Sequence, residues 1–121
     1  MFKYIVLFAS VAMLVSSETY STENDDIDIE GLVNDVNNLR AFINCFNDKG
    51  ECNVAAADFK KDLRDAFETS CSKCTEAQKH IFKRFLEEGK VKLPEEFAYF
   101  LQKYDSEGKY IQPLEQAIAK F

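Results

Sequence analysis

The residues whose spacing could support chemistry are four cysteines, Cys45, Cys52, Cys71 and Cys74, arranged as C-x6-C-x18-C-x2-C. Cysteines form disulfides, bind zinc as thiolates or take part in redox exchange. Four cysteines allow three disulfide pairings, and the sequence alone does not select one of them. Each close pair lies at a predicted helix boundary, where a disulfide could bridge a short loop. We therefore favour two local disulfides, Cys45 with Cys52 and Cys71 with Cys74.

Zinc binding and redox exchange are the competing interpretations of these cysteines. A structural zinc site typically uses close pairs with about two to four residues between the ligands, which C-x6-C does not match. His80 is the single histidine of the chain. A thioredoxin-like C-x-x-C requires a strand that leads into a helix, and no strand pattern precedes Cys71. We expect no metal site and no cofactor, and we assign His80 no role.

Catalysis and nucleic-acid binding also have little support in the sequence. No serine or threonine lies in a nucleophile-elbow motif, and the acidic residues alternate with lysines on predicted solvated faces. The net charge is −6, and Lys60, Lys61 and Arg64 are interleaved with aspartates instead of forming a basic face. These features indicate a binding protein that is not an enzyme and has no nucleic-acid partner.

The first residues, 1–17, predict an export signal. Lys3 supplies the positive start, a mostly apolar run covers 4–15, and Ser17 offers a small residue for cleavage. The run is too short to span a bilayer, which takes roughly 20 apolar residues. We predict a secreted, extracellular protein without a membrane span, whose single domain is 18–121. An oxidising compartment of this kind favours disulfides.

The elements that must position the cysteines are helices. Apolar residues recur at three- and four-residue intervals along the chain, and no strand alternation appears. The predicted fold class is all-α, a compact bundle of about six short helices joined by tight turns. Residues 18–26 are polar and predict an arm with little structure of its own, while 27–33 and the segment after Tyr110 carry the weakest helical patterns.

Helix boundaries are indicated by capping residues. Asn53 is an expected N-cap, and Thr75 with Gln78 three positions later has the spacing of a capping box. Pro94 suits the first turn of a helix, where its missing N–H is not needed. Gly89 is expected to end the helix that starts at Thr75.

Further residues surround the cysteines at fixed offsets: Glu18, Thr19, Tyr20, Ile27 and Asp28 in the arm, Asn44, Asp48, Lys49 and Gly50 around the first pair, and the runs 103–105 and 107–110. With the cysteine spacing, they resemble the insect chemosensory protein family, also called OS-D-like proteins, over nearly all of 18–121. The resemblance implies six helices around an internal apolar channel and disulfides between neighbouring cysteines. It also implies a soluble carrier of long-chain and other hydrophobic molecules.

The chain departs from this family at several places. Phe97 stands where many members carry tryptophan, and Phe42 where many carry tyrosine; both changes keep an aromatic wall and remove a polar group. Members usually continue with apolar residues after Leu86, whereas this chain has Glu87-Glu88-Gly89. We expect the channel wall to be interrupted on that side.

Nine of the eleven phenylalanines lie within 18–121, and with no tryptophan in the chain they make the predicted interior aromatic. Periodicity alone favours a filled core, because protein interiors are normally close-packed. The resemblance instead favours a channel that binds a long-chain alcohol, ester or fatty acid in a monomer. The alternative is a secreted helical structural or signalling protein that has a filled core and acts through its surface. The expected channel lining, taken from inward-facing positions, is Phe42, Ile43, Phe46, Leu63, Phe67, Phe82, Phe85, Phe97, Phe100 and Leu101.

Overall fold

The described part of the computed structural model is 18–121, so the predicted export signal at 1–17 lies outside the described residues. Between 18 and 121 the chain forms helices and no strand. The helices are α1 (Ile29–Asn34), α2 (Val36–Phe46), α3 (Val54–Thr69), α4 (Glu76–Lys92), α5 (Pro94–Tyr104) and α6 (Ile111–Ile118). The prediction of an all-α fold with about six short helices is confirmed.

A single aspartate separates α1 from α2. Asp35 has an extended backbone (φ −107°, ψ 101°), and its carboxylate accepts hydrogen bonds from two backbone N–H groups of α2. At the other end of α1, Asp28 accepts a hydrogen bond from the Gly31 N–H at 3.0 Å. Each cap satisfies backbone donors that a helix start leaves without partners. The weakly patterned segment 27–33 therefore contains a helix that is capped at its start and stopped by Asp35.

The N-caps predicted for α3 and α4 are formed in the structure. The Asn53 side chain accepts a hydrogen bond from the Ala56 N–H at 2.8 Å. Thr75 and Gln78 form a reciprocal capping box, in which each side chain accepts a hydrogen bond from the other residue's backbone N–H at 3.1 Å. These contacts join residues three positions apart, so they do not depend on the rest of the fold.

The predicted end of α4 at Gly89 is wrong. The helix continues to Lys92 and stops at Leu93, because Pro94 starts α5 and disfavours helical backbone in the residue before it. Gly89 is buried inside α4, and a Cβ atom placed there would lie 3.2 Å from Cδ1 of Phe97. Glycine at this position allows α4 and α5 to approach closely.

One half of the interior is filled by aromatic rings around Phe100, which is fully buried on α5. Edge-to-face and tilted contacts of this kind are favourable for aromatic pairs. The Phe100 ring centroid lies 5.2–6.2 Å from those of Phe46, Phe67, Phe85, Phe97 and Tyr104. We call these six residues the Phe100 cluster.

Two disulfides connect consecutive helices. Cys45 near the end of α2 is bonded to Cys52 before α3, and Cys71 is bonded to Cys74 in the connection between α3 and α4. The Cα atoms of each pair are 5.0 Å apart. The prediction of two local disulfides is confirmed.

The arm, 18–26, has no regular helix but is held against α3 and the connection before α4. The Tyr20 backbone N–H donates to the carbonyl of Lys73 at 3.0 Å, and the Tyr20 hydroxyl donates to Asp65 at 2.5 Å. Tyr20 itself is half-buried. The polar arm is therefore fixed by contacts with residues far along the chain.

Candidate functional site

An apolar cavity of about 70 Å³ lies among α1, α2, α3, α4 and the arm. It lies on the side of the interior away from the centre of the Phe100 cluster. Three side chains in its wall, Tyr20, Asp62 and Gln78, carry polar groups. Its apolar wall consists of Ile27, Ile29, Leu32, Phe42, Phe46, Phe59, Leu63, Ala66, Cys74, Ile81, Phe82 and Phe85.

Phe46 and Phe85 separate the cavity from the filled half of the core. Both line the cavity, and both also contact Phe100 on their other side. Their own ring centroids are 5.4 Å apart in an edge-to-face arrangement, and Phe42 extends this wall one helical turn earlier on α2. The i, i+4 spacing of Phe42 and Phe46 explains why both rings reach the same wall.

Half of the predicted channel residues come together around this cavity. Those that line it are Phe42, Phe46, Leu63, Phe82 and Phe85. The structure does not place Ile43, Phe67, Phe97, Phe100 and Leu101 in its wall. Phe67, Phe97 and Phe100 belong to the Phe100 cluster, Ile43 is fully buried, and Leu101 packs partly buried against the core. The second group packs in the interior outside the wall of this cavity, because the helix that carries most of it, α5, packs against the filled half.

Several cavity residues were not in the predicted set. Phe59 and Ala66 lie at helical spacing from Leu63 on α3, and Ile81 lies at helical spacing from Phe85 on α4, so periodicity was a signal that could have found them. The arm supplies Tyr20, α1 supplies Ile29 and Leu32, and Ile27 comes from the short segment between them. Their positions depend on long-range contacts of a segment with a weak pattern, and the sequence carries no local signal for them.

The expected interruption of the wall by Glu87, Glu88 and Gly89 does not occur in this cavity. None of the three lines it. The carboxylates of Glu87 and Glu88 accept hydrogen bonds from Arg84 at 2.7 and 3.2 Å on the outer face of α4. Gly89 is buried against Phe97 instead. Glu87 and Glu88 therefore lie outside the cavity wall, to which this part of α4 contributes the apolar side chains of Ile81, Phe82 and Phe85.

Gln78 is a buried polar side chain in the cavity wall. Its amide nitrogen donates to the carbonyl of Ser21 and to Oδ1 of Asp25, both at 2.8 Å. Its amide oxygen accepts the Thr75 N–H of the capping box at 3.1 Å. Gln78 therefore satisfies its own polar atoms while it attaches the arm to the start of α4.

Tyr20 and Asp62 are the other polar side chains of the wall. Burial raises the pKa of Tyr20, and its hydrogen bond to Asp65 raises it further. Burial also raises the pKa of the Asp62 carboxyl, an effect that Lys61 opposes. The Asp62 side chain keeps 26 % of its surface exposed, and its Oδ2 lies 3.4 Å from Nζ of Lys61. Asp62 is thus a partly desolvated carboxyl at the edge of an apolar cavity.

The described residues, 18–121, contain no arranged metal-binding site. No group of three or more histidine, cysteine or acidic side chains there is placed to hold an ion. Nδ1 of His80 lies 2.9 Å from the carbonyl oxygen of Phe121, a contact within the fold. None of the helices between 18 and 121 combines the length and the apolar character needed to cross a bilayer.

Two known proteins are similar to this chain in sequence. Allergen Tha p 1 of Thaumetopoea pityocampa is 34% identical over 111 residues, which cover 89% of this chain and 88% of the relative. Ejaculatory bulb-specific protein 3 of Drosophila melanogaster is 28% identical over 102 residues, covering 84% of this chain and 81% of the relative.

Two solved structures share the fold. A chemosensory protein in complex with bromo-dodecanol superposes with a TM-score of 0.74 at 28% identity, covering 81% of this chain and 98% of that one. Antennal chemosensory protein A6 from the moth Mamestra brassicae superposes with a TM-score of 0.66 at 28% identity, covering 84% of this chain and 94% of that one. The family model described as the insect pheromone-binding family, A10/OS-D, matches residues 20–112. The six helices, the two local disulfides and this match show that the chain belongs to the A10/OS-D family.

Proposed function

We propose that the chain is a secreted carrier that binds one long-chain aliphatic molecule in the cavity between α1, α2, α3 and α4. The observation that carries this proposal is the almost entirely apolar cavity wall beside a filled aromatic core. Burial of apolar surface favours binding of a hydrophobic chain without directional contacts. The proposed role requires neither catalysis nor a cofactor.

Two further observations support the class of ligand and the compartment. A structural relative with the same fold was solved in complex with bromo-dodecanol, which is a long aliphatic molecule. The export-signal pattern at 1–17 and the two disulfides support secretion, because disulfides persist in oxidising compartments.

The size of the cavity constrains how such a ligand binds. An apolar cavity of about 150 Å³ in another protein accommodates benzene, which has six carbon atoms. The present cavity, about 70 Å³, therefore holds only a short part of a twelve-carbon chain. Binding of a whole chain requires side chains of the wall, or the arm, to move outward.

The expected affinity is modest. Burial of about twelve methylene groups contributes roughly 10 kcal/mol at about 0.8 kcal/mol each, and the loss of freedom on association removes several of these. The remainder corresponds to a Kd in the micromolar range, on the order of tens of micromolar. The cost of enlarging the cavity reduces the affinity further, and selectivity between neighbouring chain lengths should be shallow.

The test is displacement of a hydrophobic fluorescent probe, N-phenyl-1-naphthylamine, by 1-dodecanol. Ala66→Leu places three additional carbon atoms in the wall, because Ala66 is buried and lines the cavity. Ala98→Leu is the matched control, because Ala98 is exposed on α5 outside the cavity. We expect Ala66→Leu to weaken binding of dodecanol about tenfold and Ala98→Leu to leave it unchanged. Circular dichroism verifies that both variants remain helical.

Two results would contradict the proposal. The first is a folded, disulfide-bonded wild-type protein that binds neither the probe nor dodecanol at tens of micromolar. That result would support the alternative, a helical protein that acts through its surface. The second is equal binding by the Ala66→Leu and Ala98→Leu variants, which would locate the ligand outside this cavity.

A further inference from the structure

The polar side chains of the cavity wall differ in what they can offer to a ligand. Both polar atoms of the Gln78 amide are already used in contacts with the arm and the capping box. The only hydroxyl hydrogen of Tyr20 is donated to Asp65. Neither residue therefore has a hydrogen-bond donor left for the polar end of a bound molecule.

Asp62 differs from both. Among residues 18–121, its one polar contact is from Oδ2 to Nζ of Lys61 at 3.4 Å, and its Oδ1 atom has no hydrogen-bond donor. An ionised carboxylate accepts hydrogen bonds and cannot donate them. Asp62 therefore offers a partly exposed acceptor atom without a donor at the edge of the cavity, and the other polar side chains of the wall have no free donor.

The charges around Asp62 also disfavour a negatively charged ligand at this edge of the cavity. Asp58 and Asp65 lie one helical turn away on the same face of α3. Asp58 is engaged by Asn24 at 2.8 Å and by Lys61 at 2.6 Å, and Asp65 accepts the Tyr20 hydroxyl. Among residues 18–121, Lys61 is the only cation that hydrogen-bonds to any of these three carboxyl groups, which makes this edge of the cavity unfavourable for an anion.

We propose that Asp62 selects the head group of the ligand, favouring a long-chain primary alcohol over a fatty-acid carboxylate of the same length. This inference rests on the proposed carrier function. The alcohol hydroxyl donates to Asp62, and a hydrogen bond to an ionised acceptor is about twice as strong as one between neutral groups. A carboxylate ligand has no hydrogen to donate and is repelled. An ester is neutral but also lacks a donor, so its affinity should be intermediate.

The experiment compares 1-dodecanol, methyl dodecanoate and dodecanoate as competitors of N-phenyl-1-naphthylamine at pH 7. For the wild-type protein we expect dodecanol to bind about tenfold more tightly than dodecanoate. Asp62→Asn keeps the shape of the side chain, removes its charge and adds a donor. This variant should reduce the preference to about twofold, mainly because binding of dodecanoate improves. Glu68→Gln, an equal loss of charge at an exposed position of α3, is the control and should keep the wild-type ratio.

The possible failures are distinguishable. If all three ligands displace the probe with equal affinity, or if Asp62→Asn keeps the wild-type ratio, the head-group inference is wrong while the carrier function stands. If none of the ligands displaces the probe, the carrier function fails and the inference fails with it. If Glu68→Gln changes the ratio of the dodecanol and dodecanoate affinities as much as Asp62→Asn does, the change reflects net charge in general. That result would also overturn the role of Asp62.

Discussion

The hydroxyl group of Tyr20 donates a hydrogen bond to Asp65 across 45 positions of sequence, at 2.5 Å. The backbone N–H of the same tyrosine donates to the carbonyl of Lys73 at 3.0 Å. One residue of the arm is therefore attached both to α3 and to the connection before α4, while its ring lines the cavity. This double attachment makes a segment without helix part of the candidate binding site.

Substitution Tyr20→Phe should lower the free energy of unfolding at pH 7 by about 1 kcal/mol, because it removes one partly exposed hydrogen bond to a carboxylate. Burial raises the pKa of Tyr20 above its ordinary value of 10.0, so the folded state favours the neutral phenol. The difference in free energy of unfolding between the wild type and Tyr20→Phe should be fully present below pH 10 and should decline as the pH rises above it. Urea unfolding of both proteins at pH 7 and above pH 10 measures the difference.

Tyr99→Phe is the control for this prediction, since Tyr99 is an exposed tyrosine on α5. It should leave the free energy of unfolding unchanged at neutral pH. A Tyr20→Phe variant as stable as this control would mean that the contact with Asp65 does not hold the arm in solution.

Substitution Gly89→Ala should destabilise the protein by about 1 kcal/mol, although alanine is ordinarily the better helix former. The new Cβ would lie 3.2 Å from Cδ1 of Phe97, and this ring is held in the Phe100 cluster. The cost of overpacking then exceeds the gain in helix propensity.

A double-mutant cycle with Phe97→Leu tests the cause. In the smaller Phe97→Leu background, Gly89→Ala should be neutral or stabilising in chemical unfolding. An equal loss in both backgrounds would exclude the contact between Gly89 and Phe97 as the explanation.

Substitution Asp48→Asn should destabilise the protein at neutral pH but have little effect in strong acid. Asp48 forms ion pairs with Lys103, at 2.7 Å, and with Lys60, and these hydrogen-bonded contacts lower its pKa from 3.8 to about 2. The stabilising effect should be complete above pH 4 and should be lost as the pH falls towards 2. Asparagine tolerates the left-handed backbone of this residue, φ 62°, so the substitution tests mainly the charge.

Thermal unfolding of the Asp48→Asn variant between pH 2 and 7 measures this effect. Because the pairs are on the surface, the difference from wild type should also shrink in high salt. A difference that stays constant over the whole pH range would rule out the ion pairs as its origin.

Removal of the two disulfides should have different consequences for ligand binding. Replacing both Cys45 and Cys52 by serine should cost about 2 to 3 kcal/mol in denaturant unfolding and leave probe affinity unchanged in the folded protein. The Cys71–Cys74 bridge closes a shorter loop, so its removal should cost somewhat less. Because Cys74 lines the cavity, that second variant should also weaken binding of the probe. Equal probe affinities for the two variants would contradict this site assignment.

The features predicted from the sequence are those whose causes are local. The caps at Asn53 and Thr75 join residues three positions apart, and each disulfide bridges a short loop, so pattern and spacing were sufficient. Gly89 was misjudged because its role depends on Phe97, a residue of the next helix. A glycine that permits two helices to touch has the same sequence pattern as one that ends a helix.

The candidate site was only half predicted, for a related reason. Periodicity identifies which side chains of a helix face inward, but Phe82 and Phe100 both face inward and only Phe82 lines the cavity. The difference depends on which helices pack closely across the interior. The contribution of the arm, above all Tyr20, depends on partners far along the chain, and no local pattern records it.

The contacts between the arm and α4 also impose an order on folding. Gln78 donates to Ser21 across 57 positions and to Asp25 across 53 positions of sequence. The arm is synthesised before Gln78 and therefore lacks this partner until much of the chain has followed it. Contacts this distant require a long loop to close, which slows their formation. We expect the helices to associate before the arm completes the cavity wall, so that Tyr20→Phe accelerates unfolding in stopped-flow measurements and leaves the refolding rate nearly unchanged.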